Sequence, residues 1–234
     1  MTAGTTMWLV AMVAAAAGAR GGGPARRLDR VDHLVYATPD LRAGIDAIEK
    51  LLGVPATPGG AHPGRGTRNA LVALGPATYL EIIGPDPDQP APPHPRSFGI
   101  DALKQPRLAA WAVKGTELEQ LHDQAARQGV QLGDVLSGSR RRPDGVLLTW
   151  RYTDPGHVVA DGIVPFFIDW GKTPHPAAGA ARGASLIDLR AEHPEAQRVR
   201  DLLARLGLDL AVEQGAAPAL VATIECPRGR VELR

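Results

Sequence analysis

A single cysteine, Cys226, stands in 234 residues. That excludes an intramolecular disulfide framework and any multi-cysteine metal centre, and with no histidine partner evident in sequence Cys226 reads as an inert thiol. An excess of one charge is also lacking. Against 25 Asp+Glu there are 26 Lys+Arg, too even a balance to draw nucleic acid or an anionic membrane surface. Aromatics make up only 4%, so Trp8, Trp111, Trp150 and Trp170 carry much of that share. Trp150 and Trp170 read as core or cavity wall rather than base-stacking residues. The apolar run Met7–Ala19 is too short to span a bilayer. What is abundant is glycine and proline, 27 and 21, clustered between strand-like runs, where they mark turns rather than disorder. With 44% hydrophobic residues the chain is expected to bury a substantial core as one large domain or two small modules.

Residues 1–27 stand apart from the rest. Met7–Ala19 resembles a signal-peptide core with Ala17-Gly18-Ala19 as cleavage site, but MTAGTT before it carries no basic side chain. The segment reads equally as a leader or as a misplaced start. A cytoplasmic protein is expected, with export as the alternative if residues 1–19 are a signal peptide.

From Leu28 the pattern becomes regular. Val31–Ala37 (VDHLVYA) reads as a strand, Leu41–Leu52 as a helix stopped by Gly53, and Ala70–Leu74 and Thr78–Ile83 as strands about the Gly75-Pro76 turn. Residues 84–106 hold seven prolines and read as a connector. The order then repeats: strand Arg107–Val113, helix Glu117–Gln128, strands Val146–Tyr152 and Ile163–Asp169. A third, shorter round follows over residues 184–234: strand Ser185–Arg190, helix Glu195–Leu206, strands Leu220–Ile224 and Val231–Leu233. Three repeats of about 50 residues are the main architectural signal. The third is expected to dock on the other two, because so short a module buries little by itself.

Glu81 sits in an apolar strand, where a carboxylate is costly to bury without a partner. A metal ion shared with His33 of the first strand is one such partner. An ion pair with Arg65 or Arg68 is the other. Imidazole and carboxylate with open positions suit Zn, Mn, Fe, Co or Ni, and sequence does not choose among them. The glycine-rich stretch HPGRGTRN just upstream reads as a loop whose backbone approaches an anionic or carbonyl substrate, with Arg65 and Asn69 as donors. His62 belongs to the same stretch. The basic run Arg140-Arg141-Arg142 reads as an ordinary solvated loop.

Four stretches, VDHLVYATPDL, GGAHPGRGTRNALVALGPATYLEIIGPDP, RRRPDGVLLTW and VPFFIDWGKTPHP, together resemble the glyoxalase-like domain proteins of the vicinal-oxygen-chelate superfamily. The resemblance covers roughly residues 28–176. It implies an α+β fold in which paired βαβββ modules, here 28–84 and 107–172, form curved mixed sheets around a cleft; the shorter C-terminal βαββ-type module read above is expected to pack on them. It implies a divalent metal held by His33 and Glu81. In module two the first-strand position falls near Ala109 or Ala110, which cannot bind a metal, while Asp169 stands roughly where Glu81 does; Asp169 or His175 is the expected third ligand. Glu81, His62 and Arg65 are the expected catalytic residues, and Thr67, Asn69, Trp150 and Trp170 the expected substrate contacts. The implied function is a metal-dependent enzyme, a lyase, isomerase or relative, acting on a small oxygenated molecule. Metal-free binding or sequestration in the same cleft is the rival. The expected partner is a small molecule rather than nucleic acid or membrane, and a homodimer is allowed.

Overall fold

Val31–Ala37 (β1) is buried along its whole length, so neither of its faces meets solvent. The computed structural model describes residues 28–234, and the expectation of a leader over residues 1–27 falls outside the described residues. After β1 the chain turns at Asp40, whose carboxylate accepts from the Ala43 amide at 3.0 Å and caps helix α1 (Leu41–Leu52). Gly53, at φ +68°, ends that helix in the left-handed conformation. Strands β2 (Thr57–His62), β3 (Thr67–Gly75) and β4 (Thr78–Pro85) complete the first module.

The second module has the same order: β5 (Arg107–Lys114), α2 (Leu118–Arg127), β6 (Val135–Arg141), β7 (Leu147–Thr153) and β8 (Phe166–Asp169). In each, the first strand pairs in parallel with the last, β1 with β4 and β5 with β8. The modules join through the antiparallel β1–β5 pair, giving one eight-stranded sheet in the order β2-β3-β4-β1-β5-β8-β7-β6. This is the curved mixed sheet the resemblance implies, and it is nearly closed. Its two end strands approach each other: a Cβ on Gly60 would lie 2.4 Å from the Arg141 carbonyl oxygen, and Gly60 itself is at φ +133°. No other residue type fits there without moving backbone.

Two strands differ from expectation. HPGRGTRN is not one loop: His62 ends β2, residues 63–66 turn, and Thr67 begins β3. Arg140 and Arg141 lie in β6 rather than in a solvated loop. The proline-rich connector also holds a short 3-10 helix, Ser97–Ala102.

The C-terminal part, β9 (Ser185–His193), α3 (Ala196–Arg205), β10 (Ala211–Gln214), β11 (Ala219–Cys226) and β12 (Gly229–Leu233), has one more strand than expected. It repeats the element order but not the topology. Here β9 pairs in parallel with β10 and antiparallel with β11, in a separate sheet ordered β10-β9-β11-β12. One apolar cluster contains Leu34 and Trp111 of the large sheet, Ile48 of α1, and Leu189, Leu203 and Ile224 of this part. The opposite face of the large sheet carries a second cluster, including Val35, Ala112 and Phe166, that borders the cavity. Among the described residues no helix is long and apolar enough to cross a membrane.

Candidate active site

The concave face of the large sheet encloses a cavity of about 430 Å³, a size suited to a small ligand. Strand alternation selects what faces it. On β4, Tyr79, Glu81 and Ile83 point in, whereas Leu80 and Ile82 join the core behind. On β3, Thr67 and Asn69 point in. His33 enters from β1 and His62 from β2. Trp150, Tyr152 and Trp170 form the wall from module two. Gly138, paired with Trp150 across β6 and β7, leaves the space its indole occupies, since a Cβ would lie 2.4 Å from the ring. Thus His33, His62, Arg65, Thr67, Asn69, Glu81, Trp150 and Trp170, all named from sequence, line one cavity.

Each polar group there has a defined partner. Asn69 Nδ2 donates to Glu81 Oε1 at 2.5 Å and to His62 Nε2 at 3.2 Å. His62 Nε2 is therefore an acceptor, and its Nδ1–H donates to Thr67 Oγ1 at 3.0 Å. Burial holds His62 below the usual histidine value, opposed by Glu81 and assisted by Arg140 and Arg65. Glu81 Oε2 faces His33 Nε2 at 3.8 Å, too far for a hydrogen bond. Neither Arg65 nor Arg68 pairs with Glu81. Arg65 donates to the Tyr152 hydroxyl at 2.7 Å, and Arg68 reaches Asp88 and Asp86 at 2.9 and 3.4 Å.

Asp32 is the residue that sequence reasoning passed over. The β1–β5 register slips between Val31 and His33, a bulge that lets consecutive residues Asp32 and His33 turn to the same side. Asp32 is fully buried and accepts from His33 Nδ1 at 2.7 Å, from Trp170 Nε1 at 3.2 Å and from His175 Nε2 at 3.1 Å. His175 Nδ1 accepts from the Ala177 amide, so its proton resides on Nε2. Burial by itself would raise the Asp32 carboxyl, yet the hydrogen bonds from His175 and His33 hold it well below the ordinary carboxylate range. The signal available in sequence was the same one that flagged Glu81: a carboxylate inside an apolar strand.

The expected third metal ligand is not supplied from either place named for it. On β8, Phe166 and Ile168 face the cavity, so Asp169 points away, and its carboxylate accepts from the Gly171 amide at 2.8 Å. His175 is spent on Asp32. On β5, Ala112 lies opposite His33 and Ala110 opposite Val35, and neither can bind a metal. His62 Nε2 is occupied by Asn69. Two donors remain, His33 Nε2 and Glu81 Oε2, one short of the three protein ligands of a catalytic zinc. Among the described residues no group of three or more His, Cys, Asp or Glu side chains could hold a metal ion. The residues present do not fit a resident metal.

The glyoxalase-like domain family matches residues 31–207. The chain belongs to that family. No curated protein sequence matches it significantly. Among solved structures, a hypothetical protein from Staphylococcus aureus superposes at TM-score 0.59 with 14% identity, covering 86% of this chain and 83% of that one, a likeness of fold. Methylmalonyl-CoA epimerase from Mycobacterium tuberculosis superposes at TM-score 0.40 with 19% identity over 60% of this chain and 87% of that one. A Streptomyces coelicolor methylmalonyl-CoA epimerase in complex with 2-nitronate-propionyl-CoA gives TM-score 0.43 and 17% identity, over 63% of this chain and 98% of that one. In this glyoxalase-like chain, module one brings His33, His62, Asn69 and Glu81 to the cavity and module two Arg140, Trp150, Tyr152 and Trp170.

Proposed function

We propose that this glyoxalase-like chain is an enzyme that moves a proton on a small oxygenated molecule, using His33 and Glu81 as its acid–base pair. The observation carrying this reading is their geometry. His33 Nε2 and Glu81 Oε2 are both buried, 3.8 Å apart and not bonded to each other, while the other polar atom of each is fixed by Asp32 or Asn69. Each presents one unspent atom to a substrate seated beside the pair.

Such a substrate would carry a hydrogen on a carbon next to a carbonyl. Glu81 Oε2 takes that proton; the C–H bond breaks, an O–H bond forms, and the electron pair moves to the carbonyl oxygen. His33, as imidazolium, keeps Nδ1–H on Asp32 and donates Nε2–H to the developing oxyanion. A proton returned to that carbon on the opposite face gives an epimerisation, and one returned to the neighbouring carbon an isomerisation.

A second reading keeps a divalent ion (Zn, Mn, Fe, Co or Ni) on His33 Nε2 and Glu81 Oε2, because these two atoms face the same space. It needs ligands from outside the chain. The variants His33→Gln and Glu81→Gln should each reduce turnover of small 2-oxo and 2-hydroxy acids by about 100-fold or more without lowering metal content. Loss of bound metal in both variants favours the second reading. Binding without turnover favours a sequestering protein.

A further inference from the structure

Arg140 is 3% exposed, yet it has no carboxylate partner. Among the described residues its only side-chain hydrogen bond is from Nη1 to the Gly59 carbonyl oxygen across the closing edge of the sheet. A buried guanidinium is costly unless an anion meets it, and one neutral carbonyl uses one of its five N–H groups. Glu81, the carboxylate whose charge it feels, has Oε1 committed to Asn69 and lies beyond ion-pair distance of Arg140. The remaining N–H groups are not sealed in protein: the sole buried polar side-chain atom without a partner among the described residues is Asn69 Oδ1. Arg140 lines both the main cavity and a smaller neighbouring one of about 230 Å³.

Its position is set by the strand. Gly138 lies against the Trp150 indole on the inner face of β6, and Arg140, two residues on, shares that face. Burial lowers its affinity for a proton, with Tyr79 and Glu81 opposing, but a guanidinium is basic enough that the group remains a cation.

We infer that Arg140 is the anion-recognition residue of this cavity, and that the substrate carries an oxyanion, a carboxylate in the first instance, docked on its free N–H groups. The planar fork of arginine matches a carboxylate or a phosphate with two parallel bonds. A substrate so held would present its remaining carbons toward the His33–Glu81 pair. This deepens the proton-transfer reading by naming the substrate class and rests on it only for the choice of cavity. Arg140 also ties β2 to β6, so a purely structural role is the alternative to be separated from recognition.

The test uses Trp150 and Trp170 of the cavity wall as fluorescent reporters in the full chain, titrated at constant ionic strength. The probes are glycolate, its neutral isostere glycolamide, and inorganic phosphate. Wild type should show a saturable change with glycolate and at least about tenfold weaker binding of glycolamide. Arg140→Gln should weaken glycolate at least about tenfold. Arg142→Gln, whose arginine pairs with Asp144, should leave it unchanged. Glu81→Gln should bind glycolate as well as wild type or better; anion binding thus stands or falls separately from proton transfer. Saturation by phosphate and not glycolate supports the anion site and assigns the charge to a phosphoryl group. Equal binding of glycolate and glycolamide by wild type overturns the inference, and so does a folded Arg140→Gln protein that binds as wild type. If that variant does not fold, the comparison of acid with amide in wild type decides alone.

Discussion

Asp32 and His33 are neighbours in sequence on one strand, yet both face the same side, and Asp32 Oδ1 holds His33 Nδ1 at 2.7 Å. The bulge between Val31 and His33 makes this contact possible. It holds the His33 ring through Nδ1–H and turns Nε2 toward Glu81, the positioning that a carboxylate gives a working histidine. Asp32→Asn should therefore lower turnover by roughly 10- to 100-fold. It should also cost about 1–3 kcal/mol of stability, since His33, His175 and Trp170 lose a charged acceptor. Turnover assays and denaturant melts check the two effects, and a change in the pH–rate profile separates positioning from simple destabilisation.

The pH dependence of stability follows from His62. Its folded value lies below the ordinary 6.5, chiefly because it is buried. Above 6.5 the imidazole is neutral in folded and unfolded chains alike. As pH falls below 6.5 the unfolded chain takes up a proton that the folded chain resists, so stability present at neutral pH is lost. The melting temperature should fall as the pH drops below 6.5, and His62→Gln should flatten that slope. An unchanged slope in the variant would assign the acid sensitivity to other groups.

Gly60→Ala should be strongly destabilising, by about 2–4 kcal/mol, because a methyl group there meets backbone and not a movable side chain. Gly64→Ala, at φ +72° but with open space around it, should cost less, about 1 kcal/mol. A chemical denaturation series on the two variants distinguishes close approach from backbone conformation.

The paired modules, their helices and the strands bearing His33 and Glu81 were legible because periodicity and turn residues agree there with the tertiary fold. The end strands β2 and β6 were not. TPGGAH and VLSGSRR have poor strand propensity, and they become strands through the partners they pair with. Gly59 and Gly60 read as turn residues, whereas here they make room for Asn69 and for Arg141. Arg140 read as a solvated charge for the same reason. Asp32 was missed because simple alternation sets it opposite His33, and a bulge depends on the neighbouring strand. Asp169 was placed by analogy with Glu81, but the inward position on β8 belongs to Ile168.

The C-terminal part shares an apolar cluster with the large sheet, and the segment leading to it is anchored by the Ala73 amide donating to the Ala181 carbonyl at 2.9 Å. A chain ending at Pro176 should melt well below the full chain, since Val31, Ile48 and Trp111 lose apolar cover. Equal melting temperatures would mean that the two parts are energetically independent.

The central claim, proton transfer by His33 and Glu81 without a resident metal, is tested most directly by solvent-deuterium exchange. Small 2-oxo and 2-hydroxy acids are incubated in D2O with protein dialysed against a chelator, and loss of the carbon-bound proton signal is followed by NMR. The account predicts exchange well above buffer that survives chelation and falls by about 100-fold or more in Glu81→Gln. Exchange that vanishes on chelation and returns with added Zn, Mn, Fe, Co or Ni would contradict it.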